Sequence, residues 1–386
     1  MPVIERIDAY RDELVAIRRD LHQHPELGFE EVRTSGIVAE KLAGWGVEVH
    51  AGIGRTGVVG VIRGRVEGPR TIGLRADMDA LPMEEATGLP FASRNPGRFH
   101  GCGHDGHTTM LLGAARYLAE TRDFTGTAVV IFQPAEEGLG GARAMIADRL
   151  FERFPCDEVY GIHNSPNGNP YKVGIKPGVA MAGADFFDIR IHGEGSHAAK
   201  PEASKDPILI ASTLVQMLQS VVSRNLDPMK AAVVSVTQFH AGSAYNVIPQ
   251  GSAIAGTLRF LDRDVAEIMR RRIRSLAAGL AESFDVRIEV DIRNVFDVLI
   301  NTDELVAGYA EAAGDIVGAG NIVMRTEPVM GSEDFSDMLR VRPGVYCHLG
   351  HGGTVSVHNP GFILDEGVLP VGASLYARIV ERRLAA

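Results

Sequence analysis

Apolar residues at Ile7, Tyr10, Leu14, Ile17 and Leu21 recur at helical spacing, and Pro25 ends the helix they predict. Short apolar runs then alternate with helical patterns: Gly57–Ile62, Thr71–Leu74, a helix over about 106–120, Thr127–Phe132 and Val159–Ile162. Strands alternating with helices predict an α/β domain around a largely parallel sheet. After about Met181 the pattern changes. Asp185–His192 alternates as a half-exposed strand, and residues 207–222 read as a helix with Ile210, Leu214, Leu218 and Val221 on one stripe. Ala232–Thr237 and Ala253–Arg259 follow as strands, then a basic helix over about 263–280 with Val265, Ile268, Ile273, Leu276 and Leu280 apolar, then Val286–Val290. The order strand-helix-strand-strand-helix-strand predicts a ferredoxin-like α+β unit. Helical and strand patterns resume beyond it. The chain therefore reads as a first domain over residues 1–182 and 297–386, interrupted by a second over 183–296.

Composition narrows the class. A chain of 386 residues exceeds what one hydrophobic core usually serves. Hydrophobic residues at 45% and charged ones at 23% exclude a disordered chain. A net charge of −10 argues against nucleic acid or an anionic membrane as partner. Cys102, Cys156 and Cys347 are odd in number and far apart, so no disulfide framework is expected. The opening Met-Pro-Val-Ile-Glu-Arg lacks an apolar signal core, and no stretch approaches a membrane span. These features lead us to expect a soluble protein of a reducing cytoplasm.

Four clusters carry candidate chemistry. In His100-Gly-Cys-Gly-His-Asp-Gly-His107, Cys102 and His104 can bend toward one ion, because flanking glycines let the backbone approach closely. His107 opens the following helix and reads as packing or support rather than as a ligand. Asp105 is placed to orient a ligating histidine. In Gln133-Pro-Ala-Glu-Glu-Gly138, two adjacent carboxylates follow an apolar run, and near pH 7 they need a cation or a shared proton to coexist. The carboxyl end of a strand is where open α/β sheets bind ligands, and Glu136 and Glu137 can divide proton transfer from ligation. His163 ends another apolar run, and His358 lies in the late loop Ser356-Val-His-Asn-Pro360. Each of the four is unremarkable alone: a solvated loop or a hydrogen-bonded histidine explains it. Together they supply sulfur, imidazoles and carboxylates, a mixture suited to Zn, Mn, Co or Ni rather than Ca or Mg.

Gly52-Ile-Gly-Arg-Thr-Gly57 matches the dinucleotide-binding spacing, but it precedes a β-branched run instead of opening a helix, so a hairpin is expected and a nicotinamide oxidoreductase is not. No nucleophile elbow or phosphate-binding loop is present. A non-catalytic metal-binding receptor is the other class to weigh. Glu136 speaks against it, since a binding site needs no base beside a ligand.

The clusters belong to a longer series that runs in one order along the chain: His24-Pro-Glu-Leu-Gly-Phe-Glu30, Arg75-Ala-Asp-Met-Asp-Ala-Leu-Pro82, the Cys102 and Glu136 motifs, Gly161-Ile-His-Asn164, Gly195-Ser-His-Ala-Ala199, Asn246-Val-Ile-Pro249, Gly331-Ser-Glu-Asp-Phe335 and His358-Asn-Pro360. This series resembles the aminoacylase and carboxypeptidase family of dinuclear metallohydrolases, in its hippurate hydrolase and auxin-conjugate amidohydrolase branch. The resemblance implies an α/β catalytic domain carrying an inserted dimerisation (lid) domain. It also implies two divalent ions per subunit, held by Cys102, His104, Glu137, His163 and His358. Glu136 would be the general base, and His197 a substrate-binding or oxyanion-stabilising residue reaching a neighbouring subunit's site. Asn246 and Arg259 resemble lid positions that bind the substrate carboxylate. Peptidase members carry a ligating histidine where this chain has Asp77, and Cys102 replaces their bridging aspartate. The implied reaction is metal-dependent hydrolysis of the amide bond of small N-acyl amino acids by a homodimer or higher homo-oligomer, with a dipeptidase or aminoacylase of the same mechanism as the alternative.

Overall fold

The computed structural model describes residues 3–166 and 169–385; Met1 and Pro2 of the opening segment lie outside them. The chain forms two units, one of Met1–Ala180, Ile300–Pro328 and Asp334–Ala386, the other of Met181–Leu299 and Val329–Glu333.

In the first unit an eight-stranded sheet runs in the order Glu48–Ile53, Gly57–Arg63, Thr125–Gln133, Val66–Asp77, Glu158–Ser165, Gly344–Gly350, Val173–Ile175, Ile322–Met324. Its centre is parallel: Val66–Asp77 pairs in parallel with both Thr125–Gln133 and Glu158–Ser165, and Glu158–Ser165 in parallel with Gly344–Gly350. These strands are buried on both faces, which explains why they read as continuous apolar runs instead of alternating. The helices Arg11–Gln23, His104–Thr121 and Leu369–Arg383 supply Leu14, Leu111, Leu112, Leu118 and Leu375 to the core against Ile72, Leu74, Val130 and Phe132. The expected N-terminal helix is in fact two, Glu5–Asp8 and Arg11–Gln23, meeting at Ala9 and Tyr10. The strands Glu48–Ile53 and Gly57–Arg63 form an antiparallel hairpin, so the Gly-rich segment between them opens no helix.

In the second unit the sheet order is Ala232–Ala241, Gly251–Phe260, Gly183–His192, Arg287–Phe296, antiparallel throughout. With the helices Pro207–Asn225 and Arg263–Ser283 this is the ferredoxin-like arrangement. Gly251–Phe260 alternates buried and half-buried along its length. The Pro207–Asn225 helix buries the expected stripe. On Arg263–Ser283 the buried line runs Val265, Met269, Ile273, Ala277, Leu280, so Met269 and Ala277 stand where Ile268 and Leu276 were expected. A four-residue ridge, not the sum of apolar positions, decides which side packs. Asp185, fully buried, takes Arg270 Nε at 2.6 Å and Nη2 at 2.7 Å and fastens that helix to the sheet. No helix among the described residues is long and apolar enough to cross a membrane.

Candidate metal centre

Three neighbouring parallel strands end side by side, and each delivers part of one cluster. Val66–Asp77 leads to Asp77 and Asp79, Thr125–Gln133 to Glu136 and Glu137, and Glu158–Ser165 contains His163. Such a row of carboxyl ends is the natural ligand site of an open α/β sheet. Cys102 and His104 come from the loop entering the His104–Thr121 helix. Gly103 is its N-cap at φ 88°, and a Cβ there would stand 2.5 Å from Asn164 Nδ2. Only glycine allows both that turn and the approach of Asn164.

Cys102, His104 and His163 have ligand atoms within 4.8 Å of one another, and so do Cys102, Glu137 and His358. Cys102 is common to both triads. Cys102 Sγ lies 3.3 Å from His163 Nε2, and His358 Nε2 lies 3.3 Å from Glu137 Oε1. His104 Nε2 stands 3.9 Å from Glu137 Oε1, and both atoms are shut off from solvent without a hydrogen bond. Buried polar atoms left unbonded are costly, and here they converge with a sulfur and two further imidazoles on one volume. Electrostatics agree. The thiol of Cys102 and the Glu137 carboxylate push His358 up to about 10. Burial alone would lower His104, but Asp77 and Cys102 outweigh it and raise His104 well above its usual range. The cluster is thus an anionic pocket that collects protons on His104 and His358, while burial holds His163 well below its usual range, and a divalent cation satisfies it with the same atoms. The donor set therefore fits metal.

Around the ligands lies a rigid frame. Asp79 accepts His104 Nδ1 at 3.2 Å and the Glu137 backbone N–H at 3.0 Å, tying two candidate ligands from different segments. This corrects the expectation for Asp105, which instead pairs with His22 Nδ1 at 2.7 Å and Arg18 Nε at 2.9 Å. Both Asp105 partners belong to the Arg11–Gln23 helix, whereas His104 turns its Nδ1 back to the strand end. His107 is support: its Nδ1 donates to Asp77 at 2.6 Å, and its Nε2 accepts the Asn164 N–H at 2.9 Å. Asn164 accepts His163 Nδ1 on its carbonyl at 2.7 Å and donates its side-chain amide to the Cys102 carbonyl at 2.6 Å. Asp77 is held in turn by Arg75, whose guanidinium also reaches Gln133 and Asp334. Two residues of the site sit at positive φ without being glycine, Ala135 (52°) and His358 (62°). Each costs on the order of 1–3 kcal/mol. Ala135 is pinned by Glu31, and His358 N–H bonds the Gly101 carbonyl at 2.8 Å, fastening its loop to that of Cys102.

Glu136 is 5% exposed and lies within 4.8 Å of His104 and Glu137 ligand atoms. Cys156 and Cys347 are buried elsewhere: Cys347 contacts the Tyr309 hydroxyl at 3.0 Å, and burial pushes both thiols up to about 12. In the second unit, His197 is exposed on a two-residue strand paired with Val247–Ile248. Its Nδ1 accepts the Ala199 N–H at 3.0 Å, so Nε2 carries the proton and can donate. Asn246 is exposed beside it, bonding Ala198 N–H through its carbonyl. Arg259 is half-buried and donates to Ser332 Oγ at 2.5 Å. Asp79 and Asn164 entered the sequence reading only as motif letters, and Asp77 only as the position where peptidase members carry a ligating histidine. Two aspartates alternating at the end of an apolar strand were the available signal.

Replacing Cys102 by serine is expected to lower metal content, because a hydroxyl oxygen binds these ions less well than thiolate. Cys156→Ser and Cys347→Ser should keep it. Elemental analysis of the three purified variants checks this, and an unchanged stoichiometry and affinity in Cys102→Ser would remove that residue from the site.

Residues 73–382 match peptidase family M20/M25/M40. A hippurate hydrolase of Campylobacter jejuni is 42% identical over 384 residues, covering 100% of both chains. An N-acetylcysteine deacetylase of Bacillus subtilis is 37% identical over 377 residues, covering 96% of this chain and 97% of its own. Among solved structures, a dinuclear metal-binding peptidase of the M20 family from Bacillus subtilis superposes with a TM-score of 0.83 at 34% identity, covering 98% of this chain and 99% of that one.

Proposed function

The chain belongs to peptidase family M20/M25/M40, and on that premise we propose that it is a metal-dependent amidohydrolase cleaving the amide bond of N-acyl amino acids. One observation carries the reading: a sulfur, three imidazoles and a carboxylate from four separate segments converge on an anionic pocket with a second carboxylate, Glu136, at its side. Cys102, His104, Glu137, His163 and His358 would hold two divalent ions, Cys102 belonging to both candidate triads, and Zn, Mn, Co or Ni would suit those donors. When bound, such ions supply Lewis acidity to the amide carbonyl and bring the pKa of water down to about 7.

The chain's own groups divide the remaining work. Glu136 Oε takes a proton from the attacking water and returns it to the departing amine nitrogen. The Nε2–H of His197, from a neighbouring subunit, faces the oxygen that gains charge. Asn246 and Arg259 take the substrate carboxylate, Arg259 as a planar fork. A homodimer built through the second unit would bring His197 to its site. Three buried cysteines without a disulfide suit a reducing compartment such as the cytoplasm.

The test is a turnover screen on metal-stripped enzyme reloaded separately with Zn, Mn, Co or Ni. Hippurate and N-acetyl amino acids should release free amino acid, and stripping should abolish the release. Turnover confined to dipeptides would transfer the assignment to a dipeptidase. Metal binding without hydrolysis of any amide would favour a receptor.

A further inference from the structure

A row of side chains leaves the metal cluster along the sheet. His163 is paired in register with His348, and His348 with Gly174, so all three Cβ directions share the face that carries the ligand imidazole. The rings of His163 and His348 have centroids 6.1 Å apart. At the end of the row the missing side chain of Gly174 leaves a slot, and Arg325 fills it. A Cβ on Gly174 would stand 2.7 Å from Arg325 Nε and 3.3 Å from both Cζ and Nη2. Arg325 follows the edge strand Ile322–Met324, and its backbone N–H bonds the Ile175 carbonyl at 2.7 Å.

This guanidinium is half-buried, yet among the described residues no carboxylate reaches it within ion-pair distance and its side chain makes no hydrogen bond. Other half-buried or buried arginines of the unit have partners: Arg75 has Asp77 and Asp334, Arg18 has Asp105 and Arg383 has Glu158, while Arg122 and Arg342 donate to backbone carbonyls. His348, its neighbour in the row, cannot balance the charge. Its imidazole is neutral or cationic and brings no negative charge to the guanidinium. A cation drawn partly out of water without a counter-ion loses hydration and gains nothing in return. A carboxylate would repay that loss bidentately.

We infer that Arg325 anchors a second carboxylate of the substrate, carried at the far end of the amino-acid side chain or of the acyl chain. Distance separates this group from the α-carboxylate. Gly174 is two strand spacings, about 10 Å, from His163. The α-carboxylate of an N-acyl amino acid is three bonds, roughly 4 Å, from the scissile carbonyl carbon. From the scissile carbon a glutaryl carboxylate is four bonds and a glutamate side-chain carboxylate five bonds away, about 5–6 Å, and a carboxylate–guanidinium contact adds about 4 Å, which together cover the row. The inference rests on the amidohydrolase reading above and adds a substrate class to it.

The experiment uses the full-length, metal-loaded enzyme and two matched pairs, N-acetylglutamate against N-acetylglutamine and N-glutarylglycine against its terminal amide, with hippurate as a further substrate. In the unaltered enzyme one pair should favour its charged member, and the responding pair identifies which end carries the carboxylate. In Arg325→Met that charged-to-neutral ratio of kcat/KM should fall about tenfold to a hundredfold, the loss residing in KM. Arg325→Lys should recover part of it, and Gly174→Ala, by displacing the guanidinium, should lower the ratio while leaving residue 325 intact. Neither pair discriminated by the unaltered enzyme, or both members weakened equally in Arg325→Met, would overturn the inference while hippurate turnover left the amidohydrolase reading standing. Absence of turnover on all five compounds would overturn that reading and the inference with it.

Discussion

Glu136→Gln keeps its metal and loses between a hundredfold and ten-thousandfold in kcat. That is the expected result, because the amide is nearly isosteric and retains an oxygen but cannot accept the water proton. General-base catalysis contributes about 10²–10⁴-fold, or roughly 3–5 kcal/mol of barrier. Glu136 sits where such a role is possible: it is nearly buried, its Oε1 accepts the Asp334 N–H at 3.3 Å, and it lies beside Glu137 without being needed for the Cys102 triads. Glu137→Gln should fail differently, by losing metal, since Glu137 Oε1 is the atom facing His104 and His358. Metal content by elemental analysis and steady-state kinetics on the same preparations separate the two. If both variants retain metal and comparable activity, the pair has no part in the chemistry.

The second large effect is expected at His197. His197→Ala should fold, dimerise and bind metal, yet lose about a hundredfold in kcat, the usual cost of one oxyanion donor. Its exposed position on a two-residue ladder predicts little loss of stability. Mixing decides whether it acts in trans. Glu136→Gln subunits and His197→Ala subunits are each impaired by about a hundredfold or more, but a mixed dimer contains one site with an intact Glu136 and, from the partner, an intact His197. Random exchange would restore activity in about a quarter of the sites, as half of the dimers are mixed and each has one complete site. Under demonstrated subunit exchange, an unrestored mixture would refute the cross-subunit role.

Asp185, Met269 and Val32–Gly44 show how the fold's legibility varied. Elements whose period reflects burial on one side or both were readable: the continuous run Thr127–Phe132 is a central strand, and the split order after Met181 is the ferredoxin-like unit. The helix Val32–Gly44 escaped notice because only Thr34, Val38 and Leu42 of it are buried, a thin stripe between a glutamate and a tryptophan. Met269 replaced Ile268 because packing selects a ridge on the helix surface, whereas hydropathy counts residues whichever way they face.

For the site, local chemistry was legible and convergence was not. Cys102 with His104 in a glycine turn, and Glu136 with Glu137 past a strand, are short-range patterns whose geometry the backbone dictates within a few residues. His163 and His358 are ordinary histidines in sequence. They join the candidate metal cluster only because a parallel sheet sets His163 3.3 Å from a sulfur 61 residues away, and because His358 N–H bonds Gly101. The orienting carboxylate for His104 is Asp79, twenty-five residues back, and not its neighbour Asp105. Sequence by itself determined the elements, the two-part organisation and the kind of atoms available for chemistry, because these follow from local periodicity and residue type. The tertiary structure alone decided which atoms meet, which nitrogen of each histidine is occupied, and that Arg325 stands over Gly174 with no carboxylate partner among the described residues. Hydrogen bonds and Coulomb attraction act over a few ångströms of space, and sheet topology, not sequence separation, sets those distances.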